Sequence, residues 1–381
     1  MPRTFHKPAP YMVLQDSAPI KKDALWLRKC FAPLMAKRLP TVLYTGFKHD
    51  FIISYVQQHK KQYPYFLKMD IAKFYPSISH HHLVVETQLA YKNLLGLSYV
   101  PKRFKAQALP MLHRFFQELP TEGYGIPLNS SMAKAVSPLI YVNFLLQLKK
   151  QGDCRFIVYA DDFLFLCRSA KACEQLYIDF SNFLYHVDLK VNMLKVQQGR
   201  FASATLDFCG YRFSGGYVSV SPEKIQQFKE SILKHCHNTN NRTKLWDERR
   251  LIKTINAKVN GFGHYYKYAH VKRLYHHLDA FIRQQVRDLY KQLGLASPTL
   301  KEFYHLGLRS LALILQKKQQ KLISPKAYKI YKESTKTYTN RARDFINIPY
   351  LEKLIHQQTE IIAQLKQMNR HQQELIKRLD L

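Results

Sequence analysis

Apolar positions along the chain follow two periods, and the change from one to the other falls near residue 220. Before it, short apolar runs alternate with helical stretches. Phe156-Ile-Val-Tyr-Ala-Asp-Asp-Phe-Leu-Phe-Leu-Cys167 holds two almost unbroken apolar runs around a tip of Tyr159, Ala160, Asp161 and Asp162. That pattern predicts a β-hairpin with strands buried on both faces. Tyr65 to Ile71 predicts a further strand, closing on Asp70, with Pro76 ending the turn that follows. Ser79 predicts the N-cap of a helix from His80 onward, and the His80-His81-His82 run predicts a solvated first turn. Helices are expected over 50–60, over 99–120, from Met132 to Leu148 as one long element, and over 169–186. A strand pair is expected around Phe208 to Val220, turned at Gly215-Gly216.

From Ser221 onward the helical period takes over. Pro222 suits a first helical position, a helix is expected over Leu251 to Gly261, and Gly261-Phe-Gly263 predicts an interruption before a helix that runs to about Leu293. Short helices joined at Pro298 and Pro325 are expected over 295–346. Leu351 to Leu381 places Leu351, Leu354, Ile361, Leu365, Met368, Leu375 and Leu379 at alternating spacings of three and four, with Gln358 and Gln372 at two core positions. That heptad seam either packs on its own domain or pairs with a second subunit or partner, giving a homo- or hetero-oligomer.

Charge changes this picture more than composition does. The 381 residues include 59 Lys and Arg against 27 Asp and Glu, a formal net charge of +32. A field of that size favours a polyanion. The basic residues are spread along the whole chain and interleaved with 25 Tyr and 23 Phe, which favours nucleic acid over a membrane surface. The six cysteines are scattered, without zinc-ligand spacing, and no run is long and apolar enough for a leader or a membrane span. A cytoplasmic protein is the expectation.

Against so many cations, the acids at Asp70, Asp161 and Asp162 stand out. If their strands share a sheet, three carboxylates converge at one edge, where they cannot all ionise unaided. Two Mg²⁺ ions would relieve the repulsion and form the clamp used in phosphoryl transfer. On a polybasic scaffold the reaction expected is nucleotidyl transfer to a nucleic-acid 3′ end.

Five stretches in order then resemble a known family. Leu67-Lys-Met-Asp-Ile-Ala-Lys-Phe-Tyr75, Gly125-Ile-Pro127, Tyr159-Ala-Asp-Asp162, Lys195 and Phe208-Cys-Gly-Tyr-Arg-Phe213 resemble the palm motifs of reverse transcriptases, over roughly residues 40–290. The Tyr-Ala-Asp-Asp form is most similar to bacterial members, including defence-associated ones. Asn260-Gly-Phe-Gly-His-Tyr-Tyr-Lys-Tyr268 with Leu278-Asp-Ala-Phe-Ile-Arg283 resembles the helical thumb of group II intron maturases.

The resemblance implies an α+β right-hand polymerase. Fingers and palm would interleave over 1–218, an α-helical thumb would span 219–295, and a helical extension would fill 296–381. It implies RNA-directed DNA polymerisation with two Mg²⁺ held by Asp70, Asp161, Asp162 and the backbone carbonyl of Ile71. Lys195 would protonate the pyrophosphate. The nucleotide would meet Phe74, Tyr75 (a bulky gate against a 2′-hydroxyl), Gly125, Pro127 and the finger cations Lys37 and Arg38. Phe208, Gly210 and Tyr211 would grip the primer, and Asn260, Tyr265, Tyr266 and Lys267 would contact nucleic acid from the thumb.

One loop departs from the family pattern. Leu128-Asn129 stand where relatives carry Gln and Gly, and Ala133 stands where Ser is common. Together with a helical tail in place of an endonuclease module, this fits an enzyme working with a dedicated non-coding RNA template in anti-phage defence, taking dNTPs and making DNA from a 3′ end or a protein primer. The alternatives are a group II intron maturase, a diversity-generating reverse transcriptase, or a non-catalytic RNA-binding scaffold.

Overall fold

A computed structural model of the chain describes residues 11–42, 49–236 and 248–315. The heptad segment 351–381 and the Pro325 turn lie outside the described residues. The helices are α1 (Ala18–Arg38), α2 (His49–His59), α3 (Phe74–Ser77), α4 (His80–Leu95), α5 (Lys102–Gln117), α6 (Ser131–Val136), α7 (Val142–Gln151), α8 (Ala170–His186), α9 (Pro222–Cys236), α10 (Glu248–Tyr266), α11 (Lys272–Gln292) and α12 (Leu300–His305). The strands are β1 (Tyr65–Asp70), β2 (Cys154–Tyr159), β3 (Asp162–Cys167), β4 (Gln197–Arg200), β5 (Leu206–Phe208), β6 (Tyr211–Ser214) and β7 (Tyr217–Val220).

The strands form two antiparallel sheets, one ordered β2-β3-β1-β4 and the other β5-β6-β7. In the first sheet the two-residue period of a strand divides the side chains between two cores. Leu67, Met69, Phe156, Phe163 and Phe165 join a core shared with α1, α4, α5 and α8. Phe66, Ile157, Leu164 and Leu166 join a second core with β5–β7 and α9–α11. The central strands are thus covered on both faces, as the unbroken apolar runs predict. Burying each such side chain contributes about 1.5–3 kcal/mol, enough to hold a charged hairpin tip at a fixed place.

The second core does not stop near residue 295. Phe303, Leu308 and Leu311 are buried in it, so the compact unit containing all the described residues extends to Leu315.

The structure differs from the sequence expectations in four elements. The helix expected from Met132 to Leu148 is two helices, α6 and α7, separated by a 3-10 turn over Ser137–Tyr141. Pro138 lacks the N–H that a continuous helix would use. β4 (Gln-Gln-Gly-Arg) carries no apolar signature and forms only as a partner of β1. α10 runs unbroken through Gly261 and Gly263 to Tyr266. Only His81 has the solvated position expected of the three histidines: His80 is buried, stacked on Phe116 with its Nε2 2.8 Å from the Gly125 carbonyl, and His82 pairs with Asp188 at 3.1 Å.

Candidate active site

Register builds the site. β1 and β3 pair antiparallel so that Asp70 lies directly opposite Asp162, and β2 pairs with β3 so that Tyr159 also faces Asp162. The Asp161 carbonyl accepts from the Ile71 N–H at 3.4 Å, tying the hairpin tip to the end of β1. Asp70, Asp161 and Asp162 therefore share one sheet edge. Asp70 and Asp162 have the strand parity of Phe66, Leu164 and Leu166, so they belong to the face that carries the second core.

A second segment clips this edge. Ala72 N–H donates to the Lys190 carbonyl and Asn192 N–H to the Asp70 carbonyl, both at 2.8 Å. Asn192 Nδ2 donates to Asp70 Oδ2 at 2.9 Å, and Lys195 Nζ stands 3.2 Å from the same oxygen. At the hairpin tip Ala160 has φ +54°, and the Tyr141 hydroxyl donates to its carbonyl at 2.9 Å. Among the described residues four non-glycines have positive φ: Lys73, Ala160, Asp188 and Cys209. All four lie on segments bordering the carboxylates. Each left-handed residue costs about 1 kcal/mol, and such strain concentrates where geometry serves chemistry.

The carboxylates crowd one another. Burial first, then the fields of Asp70 and Asp162, push Asp161 up to about 6, against the opposing pull of Lys195. Burial likewise raises Asp162, with Asp70 adding to it and Lys68 and Lys195 opposing. At Lys195 burial works against the charge, but the bond to Asp70 and the fields of all three acids outweigh it and raise the ammonium.

The raised carboxyl fixes a sign. Folded Asp161 keeps its proton up to about pH 6, whereas the unfolded chain releases it near 3.8, so stability falls as pH rises through that window. The stability advantage of Asp161→Asn over the wild type should thus grow between pH 3.8 and about 6 without divalent metal, and stay level above. Melting both proteins across this range checks it; a difference that stays flat would remove the crowding.

Tyr75 is half-buried beside this tip: its phenol bonds Ser137, and burial and then the Asp161 field raise it. Gly125 and Pro127 come to the same place, with Gly125 N–H donating to the Ile78 carbonyl at 2.8 Å and Ile126 N–H to the Tyr75 carbonyl at 3.0 Å. Leu128 and Asn129 remain exposed, and the Asn129 side-chain oxygen accepts from Leu14 N–H at 3.1 Å.

Other expected site residues are occupied elsewhere. Phe74 is a buried member of the first core. Arg38 Nε donates to the Leu94 carbonyl at 3.2 Å, at the end of α4 opposite Ser79; sixteen residues of helix, about 24 Å, separate the two ends. Lys37, its neighbour on α1, is exposed. Phe208 and Tyr211 are fully buried, and the Cys209-Gly210 tip between them is half-buried. The tip lies within reach of Asp162, whose field adds to the rise that burial imposes on Cys209. Tyr265 and Tyr266 fasten this hairpin to α10: the Tyr265 hydroxyl donates to the Cys209 carbonyl at 2.9 Å, the Tyr211 hydroxyl donates to the Tyr265 carbonyl at 2.6 Å, and Tyr266 is buried. Lys267 lies over the Tyr268 ring, and Asn260 is half-buried on α10.

Sequence reasoning missed Asn192, Tyr141 and Ser137. Nothing local marks them, because each acts on a residue brought to it by the sheet.

A divalent cation suits this donor set in type and charge. Three carboxylates share an edge, two of them raised by burial and then by their acidic neighbours, and the cation bonded there is a half-exposed lysine. Among the described residues no three acidic, His or Cys side chains stand close enough together to form a ready-made ligand set for a metal ion. Nor, among those residues, is any helix long and apolar enough to cross a membrane.

Residues 25–213 match the family "Reverse transcriptase (RNA-dependent DNA polymerase)", and residues 226–293 match "Group II intron, maturase-specific domain". No curated protein shows significant similarity to the chain. Among solved structures, apo telomerase from Candida tropicalis is 12% identical, with 81% of this chain and 60% of that one covered at a TM-score of 0.43. Telomerase from Candida albicans with a fragment of telomeric RNA is 12% identical, with 71% and 52% covered at 0.39. The chain spans about half the length of the telomerases it matches. The family matches, taken with the register of Asp70, Asp161 and Asp162, identify the chain as a reverse transcriptase of the group II intron type, with an α+β right-hand fold.

Proposed function

We propose that the protein is an RNA-directed DNA polymerase that adds dNTPs at the Asp70–Asp161–Asp162 edge. The observation that carries this is the register of β1 on β3, with Asp70 opposite Asp162 and Asp161 tied to Ile71. A scaffold that only binds RNA has no use for clustered carboxylates of which burial and the neighbouring acids raise one to about 6.

Asp70, Asp161, Asp162 and the Ile71 carbonyl would hold two Mg²⁺, which when bound activate the primer hydroxyl and stabilise the pyrophosphate charge. The chain's own residues do the rest. Asn192 and Lys195 orient Asp70. Lys195 carries its proton on Nζ, beside the acids, where the leaving group needs it. Tyr75, fixed by Ser137 and its own backbone, presents a ring where a 2′-hydroxyl would clash. The Cys209-Gly210 tip supports the primer end through its backbone.

The exposed Leu128-Asn129 pair supports the finer reading, copying of a dedicated non-coding RNA in anti-phage defence by a cytoplasmic enzyme. Asn129 Oδ1 accepts from Leu14 N–H, and Leu128 beside it is exposed. Intron maturation and diversification remain the competing uses of the same chemistry.

The test is incorporation of labelled dNTPs with Mg²⁺ on an RNA template. Tyr75→Ala is expected to raise ribonucleotide incorporation relative to deoxynucleotide by about 10²-fold, the scale set by losing one steric contact at a hydroxyl. Unchanged sugar discrimination in that variant would remove the gate.

A further inference from the structure

We propose that His80 is a positioning residue for sugar selection, fixing the 123–127 loop and, through it, the backbone of Tyr75. The inference rests on the polymerase reading above and gives a role to a histidine run that the chemistry leaves unused.

The loop needs outside support. Gly123 has φ +74° and Gly125 φ +85°, a region that glycine enters and leaves freely. The loop therefore does not fix its own carbonyl directions. Three backbone bonds lay it along the segment that follows β1. His80 N–H donates to the Gly123 carbonyl at 2.8 Å, Gly125 N–H to the Ile78 carbonyl at 2.8 Å, and Ile126 N–H to the Tyr75 carbonyl at 3.0 Å. The last bond depends on one peptide plane, because the Gly125 carbonyl and the Ile126 N–H belong to the same rigid unit and point opposite ways.

His80 holds that plane from its other end. Its Nε2 stands 2.8 Å from the Gly125 carbonyl, which can only accept, so Nε2 carries the hydrogen. With His80 on one side and Tyr75 on the other, the plane cannot rotate without breaking a bond. The imidazole is itself held, buried and stacked on Phe116 at 4.2 Å and 4°. Burial lowers its pKa against the opposing pull of the Gly125 bond, which keeps the ring neutral. The preceding residue is braced as well: the Tyr124 hydroxyl donates to Asp188 Oδ2 at 3.3 Å, and His82 Nε2 meets the same oxygen at 3.1 Å. The first turn of α4 thus brackets the loop. Releasing the plane frees the Tyr75 carbonyl, and a gate displaced by about 1 Å no longer discriminates.

The test is single-nucleotide incorporation by the full chain on an RNA template with a DNA primer, comparing dATP with ATP. His80→Phe keeps a ring against Phe116 and removes the donor. Its KM for dATP should rise about tenfold with kcat within about threefold, and its preference for dATP over ATP should fall about tenfold. His80→Gln, whose amide N–H can reach the same carbonyl, should recover most of both. Unchanged KM and preference in His80→Phe would overturn the proposal. So would an equal fall in kcat for both sugars that His80→Gln does not relieve, the mark of a merely structural residue. Should His80→Phe melt too early to assay, Phe116→Leu must still lower the sugar preference, because it frees the ring that aims Nε2; an unchanged preference there also overturns the proposal. If Tyr75→Ala leaves sugar choice intact, the gate fails and the KM for dATP alone decides His80. A wild type that incorporates neither nucleotide refutes the polymerase reading, and the sugar role with it.

Discussion

Asp161→Asn is expected to lower dNTP incorporation by at least about 10³-fold, some 4 kcal/mol of transition-state stabilisation, while the protein melts no lower than the wild type. The two halves come from one cause. Asp161 is crowded by burial and by Asp70 and Asp162, so its charge opposes the fold and is kept for chemistry. Removing that charge at neutral pH without divalent metal should stabilise the protein by about 1–2 kcal/mol. Asn is nearly isosteric and can still occupy the hairpin turn, and the backbone bond from Ile71 does not depend on the side chain. Incorporation within tenfold of wild type would sink the catalytic assignment. A lower melting temperature would recast Asp161 as structural.

Gly210→Ala should damage the protein more than any surface change of one methyl. Gly210 has φ +77°, where a Cβ costs about 1 kcal/mol. That Cβ would also lie within 2.4 Å of the Tyr266 hydroxyl. Tyr266 cannot swing away, because it is buried with its ring against Phe262, Tyr265 and Tyr211. The expected loss is about 2–4 kcal/mol, read as a fall in melting temperature of several degrees. Primer extension should fall with it, since the same tip approaches Asp162. Normal stability and extension in Gly210→Ala would mean that the hairpin and α10 are not fastened as described.

Much of the site was legible because strands announce themselves by composition. The apolar runs on either side of Asp161-Asp162, and the one ending in Asp70, left little choice but buried strands with acidic ends. Their alignment needed only that β1 and β3 have equal length and pair end to end. β4 was illegible for the opposite reason: Gln-Gln-Gly-Arg has no preference of its own and becomes a strand because β1 offers an open edge. The break at Pro138 was available in the sequence and was outweighed by the apolar period around it.

The thumb glycines show a different limit. Gly261 and Gly263 suggested a broken helix, yet α10 passes through both. A Cβ on Gly263 would meet Ile314 Cδ1 at 2.4 Å, so that glycine admits a neighbour fifty-one residues away. No local pattern can report such a contact. The resemblance likewise makes Tyr265 and Tyr266 nucleic-acid contacts. Their phenols and rings are engaged with Cys209, Tyr211 and Phe262, which only the packed structure reveals.

The core beneath the catalytic sheet has a mechanical consequence. Phe66, Ile157 and Leu164 on that sheet and Tyr275, Ile282 and Val286 on α11 belong to one continuous buried cluster. Swinging the helical lobe away from the sheet would bare that cluster to water, at about 25 cal/mol for every Å² exposed. The lobe is therefore set against the sheet like a fixed jaw, its position decided at folding.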